Sequence, residues 1–284
     1  MTAQREEPVR RIGFVGLGNL GLPMATTAVS AGFEVVGFDL RAEPNRRLEE
    51  AGGRAGSSLE EVADADLLAL AVLDDVQVTE VVEQLHDRLP PGTVIAVHST
   101  VLPETILTLG ERVAADDLRL LDVPVSGGDV AAKAGTLTLM VGGADAALAR
   151  ARPYFEAVGS NVCHLGPLGA GAAGKLANQL MTFVNQLGAL EAMKLAALYE
   201  VDESQVIELG ATSTSDSWIL RNWGFFDRIF SEYEASGTPP KLRPWAKDLW
   251  DVMVVARENE LSLPLAALAA QLTTPMFGER GGGV

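Results

Sequence analysis

GFVGLGNLGLPMA, residues 13–25, decides the fold of this chain. Gly16, Gly18 and Gly21 stand in the spacing G-x-G-x-x-G. An apolar, strand-like run at residues 12–15 leads in, and a helix-like run leads out. Asp39 closes the next apolar run, FEVVGFD. Each residue type has a physical reason. Gly16 lets the chain turn tightly after the strand. Gly18 has no side chain, so the backbone can approach a pyrophosphate. Gly21 lets the helix pack close to the sheet, and the helix N-terminus presents N–H groups to phosphates. Asp39 lies close to the ~20 residues downstream at which a carboxylate accepts hydrogen bonds from the adenosine ribose. Strand, turn, helix and acidic residue together predict a dinucleotide site. A bare strand-to-helix turn leaves Asp39 unexplained.

Outward from this unit, short β-branched runs alternate with helical stretches. Strands are expected at residues 11–15, 34–38, 67–72, 94–97 and 118–123. A further pair, 136–141 and 161–164, flanks a helix at 144–158. Ser58 and Glu61 fit a capping box, and Gly32 stands where a helix C-cap belongs. Such alternation predicts an α/β Rossmann domain with a doubly wound, mostly parallel sheet. The character changes at GPLGAGAAGK. After Gly174 the chain reads as helix after helix, at 175–199, 203–210, 217–230, 244–259 and 264–272. A boundary near Gly169 follows. Residues 1–168 form the dinucleotide-binding domain, and 169–284 form an all-α substrate and oligomerisation domain, joined through a long interdomain helix.

Composition bounds the rest. The 284 residues are 48% hydrophobic and 21% charged, which is globular. The formal net charge of −16 argues against general affinity for nucleic acid or anionic membranes, though not against an anionic small substrate in a locally basic pocket. One cysteine, Cys163, allows no internal disulfide, and with no secretory-type start a reducing cytoplasm is the expected setting. No apolar run approaches a membrane span. The start, MTAQREEPVRR, reads as polar and frayed, and the tail, GERGGGV, as disordered.

The helix from Lys175 carries a polar stripe. Lys175, Asn178, Gln179, Thr182, Asn185 and Gln186 share one face of an otherwise apolar segment. Polar groups so placed find partners or line a wet cleft, unless the face is simply solvated. A lysine at a helix N-terminus is disfavoured by the dipole, which with partial burial lowers its pKa toward the range useful for proton transfer. GAGAAGK also has phosphate-loop spacing, but Leu176 stands where that motif needs Ser or Thr.

These motifs together resemble the β-hydroxyacid dehydrogenase family. GFVGLGNLGLPMA is similar to its cofactor loop. DVPVSGGDVAAKAGTLTLMVGG, residues 122–143, is similar to its substrate segment. GAGAAGKLANQ, 169–179, and AKDL, 246–249, are similar to its catalytic and C-terminal motifs, in the family's order and spacing. The resemblance implies a nicotinamide-dependent oxidoreductase acting on a small 3-hydroxy acid or its semialdehyde. Lys175 would be the general acid/base. Ser126, Gly127 and Gly128 would bind the substrate carboxylate, and Asn178, or Gln179 beside it, would orient the substrate. Ser99, Thr100 and Lys247 would lie near the nicotinamide. Asn19, Leu20, Leu40, Arg41, Val72 and Leu73 complete the cofactor contacts, with Gly16, Gly18, Gly21 and Asp39. At HSTVLP the chain departs from the family: Val97 stands where an Asp is frequent, and His98 intervenes.

Asp39 favours NAD by repelling a 2′-phosphate, whereas Arg41 could stack on adenine or grip that phosphate, so NADP is the alternative. An imine reductase and a non-catalytic cofactor-binding scaffold are competing readings, and retention of Lys175 speaks against both. His86, His98 and His164 are scattered without carboxylates at ligand spacing, so no metal site is expected. His164, beside Cys163, reads as structural. Trp218, Trp223, Trp245 and Trp250 read as core or interface residues, with Trp218 and Trp245 candidates to border the substrate pocket. The long apolar helix and small helical domain predict a homo-oligomer, dimer or tetramer, held through residues after Gly169.

Overall fold

The computed structural model describes residues 8–235 and 237–281. The chain divides into two compact units, Met1–Lys175 and Leu176–Val284.

The first unit holds nine strands among the described residues: β1 (Arg11–Val15), β2 (Glu34–Phe38), β3 (Arg54–Ala55), β4 (Leu67–Leu70), β5 (Val94–Val97), β6 (Arg119–Asp122), β7 (Val125–Ser126), β8 (Leu137–Gly142) and β9 (Gly159–Gly166). They form one sheet in the order β3-β2-β1-β4-β5-β6-β8-β7, with β9 on β8. From β3 to β6 every pairing is parallel; β8 runs antiparallel to β6 and β7, and β9 parallel to β8. The helices are α1 (Gly21–Ser30), α2 (Ala42–Glu50), α3 (Asp75–Leu85), α4 (Pro103–Ala114), α5 (Gly128–Ala134) and α6 (Asp145–Val158). Strand residues alternate between two cores. Phe14, Leu67, Ala69, Val94 and Ala96 pack with Met24 and Ala28 of α1 and with Tyr154 and Phe155 of α6. Val15, Leu68, Leu70, Ile95 and Val97 pack with Val78 and Val82 of α3 and with Ile106 and Leu109 of α4. Helices on both faces explain why β4 and β5 are apolar at every position: both faces of each strand are covered. This is the doubly wound sheet expected.

The second unit is helical: most of α7 (Ala170–Ala197), then α8 (Glu203–Ala211), α9 (Trp218–Arg221), α10 (Phe225–Ala235), α11 (Pro244–Glu258) and α12 (Pro264–Gly281). Its core joins Phe183, Leu187, Ile219, Phe226, Trp245, Leu249 and Phe277. Trp245 lies stacked on Phe230 at 5.7 Å and is 1% exposed, so it is a core residue. Trp218 is 45% exposed and sits edge-on to Phe225. Among the described residues no helix is long and apolar enough to cross a membrane.

Several local expectations are corrected. The helix expected at 217–230 breaks into α9 and α10, because Gly224 adopts φ +85°. The capping box at Ser58 does not form. Residues Leu59–Val62 make a 3₁₀ turn, and the Glu61 carboxylate instead accepts from Ser57 and from Arg54 Nη1. Gly32, at φ +92°, does follow the end of α1 and donates its N–H to Val29 O. Arg10 and Arg11 are not frayed: their N–H groups donate to Asp66 Oδ2 at 3.1 and 2.9 Å, and Arg11 opens β1. Residues 1–7 lie outside the described residues. Of the tail expected to be disordered, the stretch to Gly281 continues α12, whose buried Phe277 anchors that end in the core, and 282–284 lie outside the described residues.

Candidate active site

Register brings the candidate residues of the first unit to one edge of the sheet. Val15 of β1 pairs with Phe38 of β2 and Leu70 of β4; Leu70 pairs with Val97 of β5, and Val97 with Asp122 of β6. The loops leaving these positions carry Gly16–Gly21, Asp39–Arg41, Val72–Leu73, Ser99–Thr100 and Val125–Gly128. In an open parallel sheet, ligands bind outside the carboxyl ends of the strands, where the strand order reverses; here that is between β1 and β4.

The three glycines of the loop are required for different reasons. Gly16 has φ +88°, and a Cβ there would collide with the Ala71 carbonyl. A Cβ on Gly21 would collide with the Gly16 carbonyl. At Gly18 the backbone is not left-handed, and a Cβ would meet nothing closer than Arg41 Nη2 at 3.8 Å. The protein itself leaves Gly18 room for a side chain, so the bare backbone there fits close approach by an external group. No acidic side chain stands in the first turn of α1, and no side chain caps it. Leu40, 93% exposed, and Leu73, 47% exposed, offer apolar surface at the ends of β2 and β4. These features fit a dinucleotide.

Asp39 is already engaged. Its Oδ2 accepts from Leu17 N at 2.9 Å, and Arg41 grips both oxygens through Nε at 2.9 Å and Nη2 at 3.0 Å. Burial pushes the Asp39 carboxyl up, but the hydrogen bonds from Arg41 and Leu17 outweigh it and hold it below its ordinary value. Ser99 Oγ donates to Val72 O and accepts from Val72 N, both at 2.9 Å, tying the ends of β4 and β5 together. His98, the departure before it, is buried. Its Nδ1–H donates to Val123 O at 2.9 Å, so Nε2 is the acceptor for the Tyr154 hydroxyl at 3.0 Å. Burial lowers its pKa to about 4, which keeps it neutral.

Lys175 is 8% exposed, in the second turn of α7, and its Nζ donates to Val125 O at 2.9 Å. Val125 directly precedes Ser126, Gly127 and Gly128. Gly127 and Gly128 have φ +126° and +66° and open the short helix α5. Lysine and SGG turn are thus brought together, 50 residues apart in sequence.

One group at this edge opens the segment 122–143 but is given no role of its own by the sequence. Asp122, fully buried at the end of β6, accepts from Gly169 N at 2.9 Å with Oδ1 and from Ala172 N at 2.7 Å with Oδ2. Burial raises its pKa, opposed by these backbone donors. The signal available in the sequence was an acidic residue ending an apolar strand. Its partners, 47 and 50 residues away, were not readable.

In the second unit, Gln179 Nε2 donates to Asp248 Oδ2 at 2.6 Å, and Asn178 Nδ2 donates to Gln179 Oε1 at 3.2 Å. Gln179 therefore ties α7 to α11. Lys247 Nζ lies 2.6 Å from Asp251 and 3.7 Å from Asp248.

Comparison with known proteins agrees with this fold. Residues 11–166 match the family described as the NAD binding domain of 6-phosphogluconate dehydrogenase. Residues 169–283 match the family described as NAD-binding of NADP-dependent 3-hydroxyisobutyrate dehydrogenase. An NAD-dependent L-serine dehydrogenase of Pseudomonas aeruginosa is 33% identical, over 93% of this chain and 91% of its own. A 3-hydroxyisobutyrate dehydrogenase of the same organism is also 33% identical, over 92% and 90%. The crystal structure of a 3-hydroxyisobutyrate dehydrogenase from Salmonella typhimurium superposes with a TM-score of 0.79 at 30% identity, over 96% and 95%. An imine reductase from Pseudomonas sp. shares the fold alone, with a TM-score of 0.67 at 16% identity over 98% and 96%.

Proposed function

The chain belongs to the β-hydroxyacid dehydrogenase family, and from that premise we propose that Lys175 moves the proton while a hydride passes between a nicotinamide cofactor and a small 3-hydroxy acid or its semialdehyde. The observation that carries this reading is the Lys175 Nζ to Val125 O contact of 2.9 Å, directly beside the SGG turn. The bound nicotinamide supplies the hydride acceptor or donor. Ser126 and the N–H groups of Gly127 and Gly128 hold the substrate carboxylate, which suits a turn with two successive positive φ values. Lys175 takes the hydroxyl proton during oxidation and returns a proton to the carbonyl oxygen during reduction. As the neutral amine Nζ offers its lone pair to the hydroxyl proton, and as the ammonium it donates that proton back, while the Val125 contact orients it. Asn178 orients the substrate, itself steadied through Gln179 and Asp248. Lys247 is assigned to the nicotinamide side.

The cofactor loop is residues 16–21 with Asp39, Leu40, Arg41, Val72, Leu73, Ser99 and Thr100. NAD is the preferred cofactor: Asp39 stays ionised, and its charge opposes a 2′-phosphate. Residues 1–168 form the dinucleotide-binding domain, which also carries the SGG turn, and 169–284 form the domain that supplies Lys175, Asn178 and the assembly surface. The assembly is a homo-oligomer, which a second copy stabilises by covering Met181, Leu195, Leu198, Leu265 and Leu268, all more than half exposed. A reducing cytoplasm suits a chain whose single cysteine is Cys163.

A panel of 3-hydroxyisobutyrate, L-serine and L-threonate, read by absorbance of the reduced nicotinamide, tests this function. Lys175→Ala is expected to lower kcat about 10²–10⁴-fold while leaving cofactor affinity and folding intact. Near-normal turnover in that variant, or no turnover of any panel member by the unmodified protein, sinks the reading.

A further inference from the structure

Asp122 is buried, ionisable and away from the cofactor loop, and nothing in the proposed proton transfer uses it directly. Its two oxygens each accept an N–H at the start of α7, from Gly169 and Ala172. The first N–H groups of a helix have no partner within the helix, so such a carboxylate fixes both the position and the register of the first turn. Lys175 follows Ala172 by about one turn, roughly 4.5 Å along the axis. Its Nζ docks on Val125, which follows Asp122 in the same segment after β6. One short stretch, residues 122–128, thus carries the carboxylate that pins the helix, the carbonyl that orients the lysine, and the SGG turn. The surroundings are shaped for the carboxylate. A Cβ on Gly142 of β8 would collide with Asp122 Oδ1, and a Cβ on Gly171 would collide with the Met140 and Asp122 backbone carbonyls.

We propose that Asp122 is a positioning residue for the reaction, holding Lys175 at the SGG turn by pinning the start of α7 to the segment that carries the turn. This rests on the assignment of Lys175 as the proton-transfer group. Asp122 also places a negative charge at the end of the helix dipole that would otherwise disfavour the ammonium. Nearby, Lys133 Nζ lies 2.8 Å from Asp129 on α5, and His164 Nδ1 of β9 lies 3.2 Å from Asp145 of α6.

Asp122→Asn keeps the volume but turns one acceptor into a donor facing an N–H. The expected result is a 10- to 100-fold fall in kcat, roughly the cost of a 1 Å misplacement, with cofactor Kd unchanged. Amide exchange should quicken at Gly169 or Ala172. Removing the negative charge disfavours the protonated lysine, so the alkaline limb of the reductive rate should move to lower pH by about half a unit or more. Asp122→Glu should not restore the rate, because the longer side chain has no room beside Gly142. Should the Asn variant fail to fold, Asp122→Ser carries the same test, since a hydroxyl still caps a helix but without the charge. A variant with wild-type kcat and pH profile and only a lowered Tm overturns the proposal. Lys175→Ala run alongside separates the failures. If it is active, the proton assignment and this inference both fall. If it is inactive while Asp122→Asn behaves as wild type, only the anchoring falls.

Discussion

Gly18→Ala should separate binding from folding. The backbone at Gly18 is not left-handed, and a Cβ would meet nothing closer than Arg41 Nη2 at 3.8 Å. An alanine is therefore compatible with the native chain, and by restricting the unfolded chain it should stabilise the fold by about 0.4–1 kcal/mol. In the proposed cofactor complex the same methyl group would stand where the loop backbone meets the pyrophosphate. Overpacking a close contact costs about 1–3 kcal/mol, which corresponds to roughly 5- to 150-fold in Kd at about 1.4 kcal/mol per tenfold. Gly21→Ala is the contrasting control: its Cβ collides with the Gly16 carbonyl, so folding itself should weaken. Urea unfolding of the free protein and titration with NADH read the two quantities separately. A Gly18→Ala protein that binds NADH as the wild type does, or one that loses binding only in step with lost stability, refutes the reasoning. The loop would then be an ordinary strand-to-helix turn.

Other outcomes follow from the same geometry. His98 titrates near 4 when folded against an ordinary 6.5, so between those values the unfolded chain binds the extra proton. Its contribution is complete above pH 6.5 and is lost as pH falls toward 4, by about 3 kcal/mol at roughly 1.36 kcal/mol per unit. The difference in unfolding free energy between wild type and His98→Gln should change by that amount between pH 7 and pH 4, and parallel curves would count against the buried neutral imidazole. Asp39→Ala releases Arg41 from its two-point grip and should cut the NAD-over-NADP ratio of kcat/KM at least about tenfold; an unchanged ratio denies Asp39 its role. Light scattering after gel filtration should give a multiple of the 30.0 kDa chain, and a clean monomer mass at micromolar concentration contradicts the assembly reading.

The first unit was legible because its determinants are local. β1, β2 and β5 fall at the expected residues, since a short β-branched run bounded by turn residues specifies a buried parallel strand without reference to distant chain. Gly16 and Gly32 announced positive φ by being glycine at a strand end and a helix end. The helical character after Gly174 was equally local, although the break at Gly224 was missed, because a single glycine inside an apolar helical pattern is ambiguous until its φ is known. What the tertiary structure alone decided are the contacts between residues far apart in the chain. Lys175 meets Val125 across 50 residues, and Asp122 meets Gly169 across 47. Gln179, offered by the sequence beside Asn178 as a substrate contact, donates Nε2 to Asp248 Oδ2 across 69 residues. Arg41, open to adenine or phosphate on the sequence, closes on Asp39. Periodicity and turn chemistry report which face of an element is apolar, a property of a few adjacent residues. Which polar group a buried carboxylate or amide finds depends on how strands register and where helices begin. That information resides in the packed sheet, not in any one stretch of the chain.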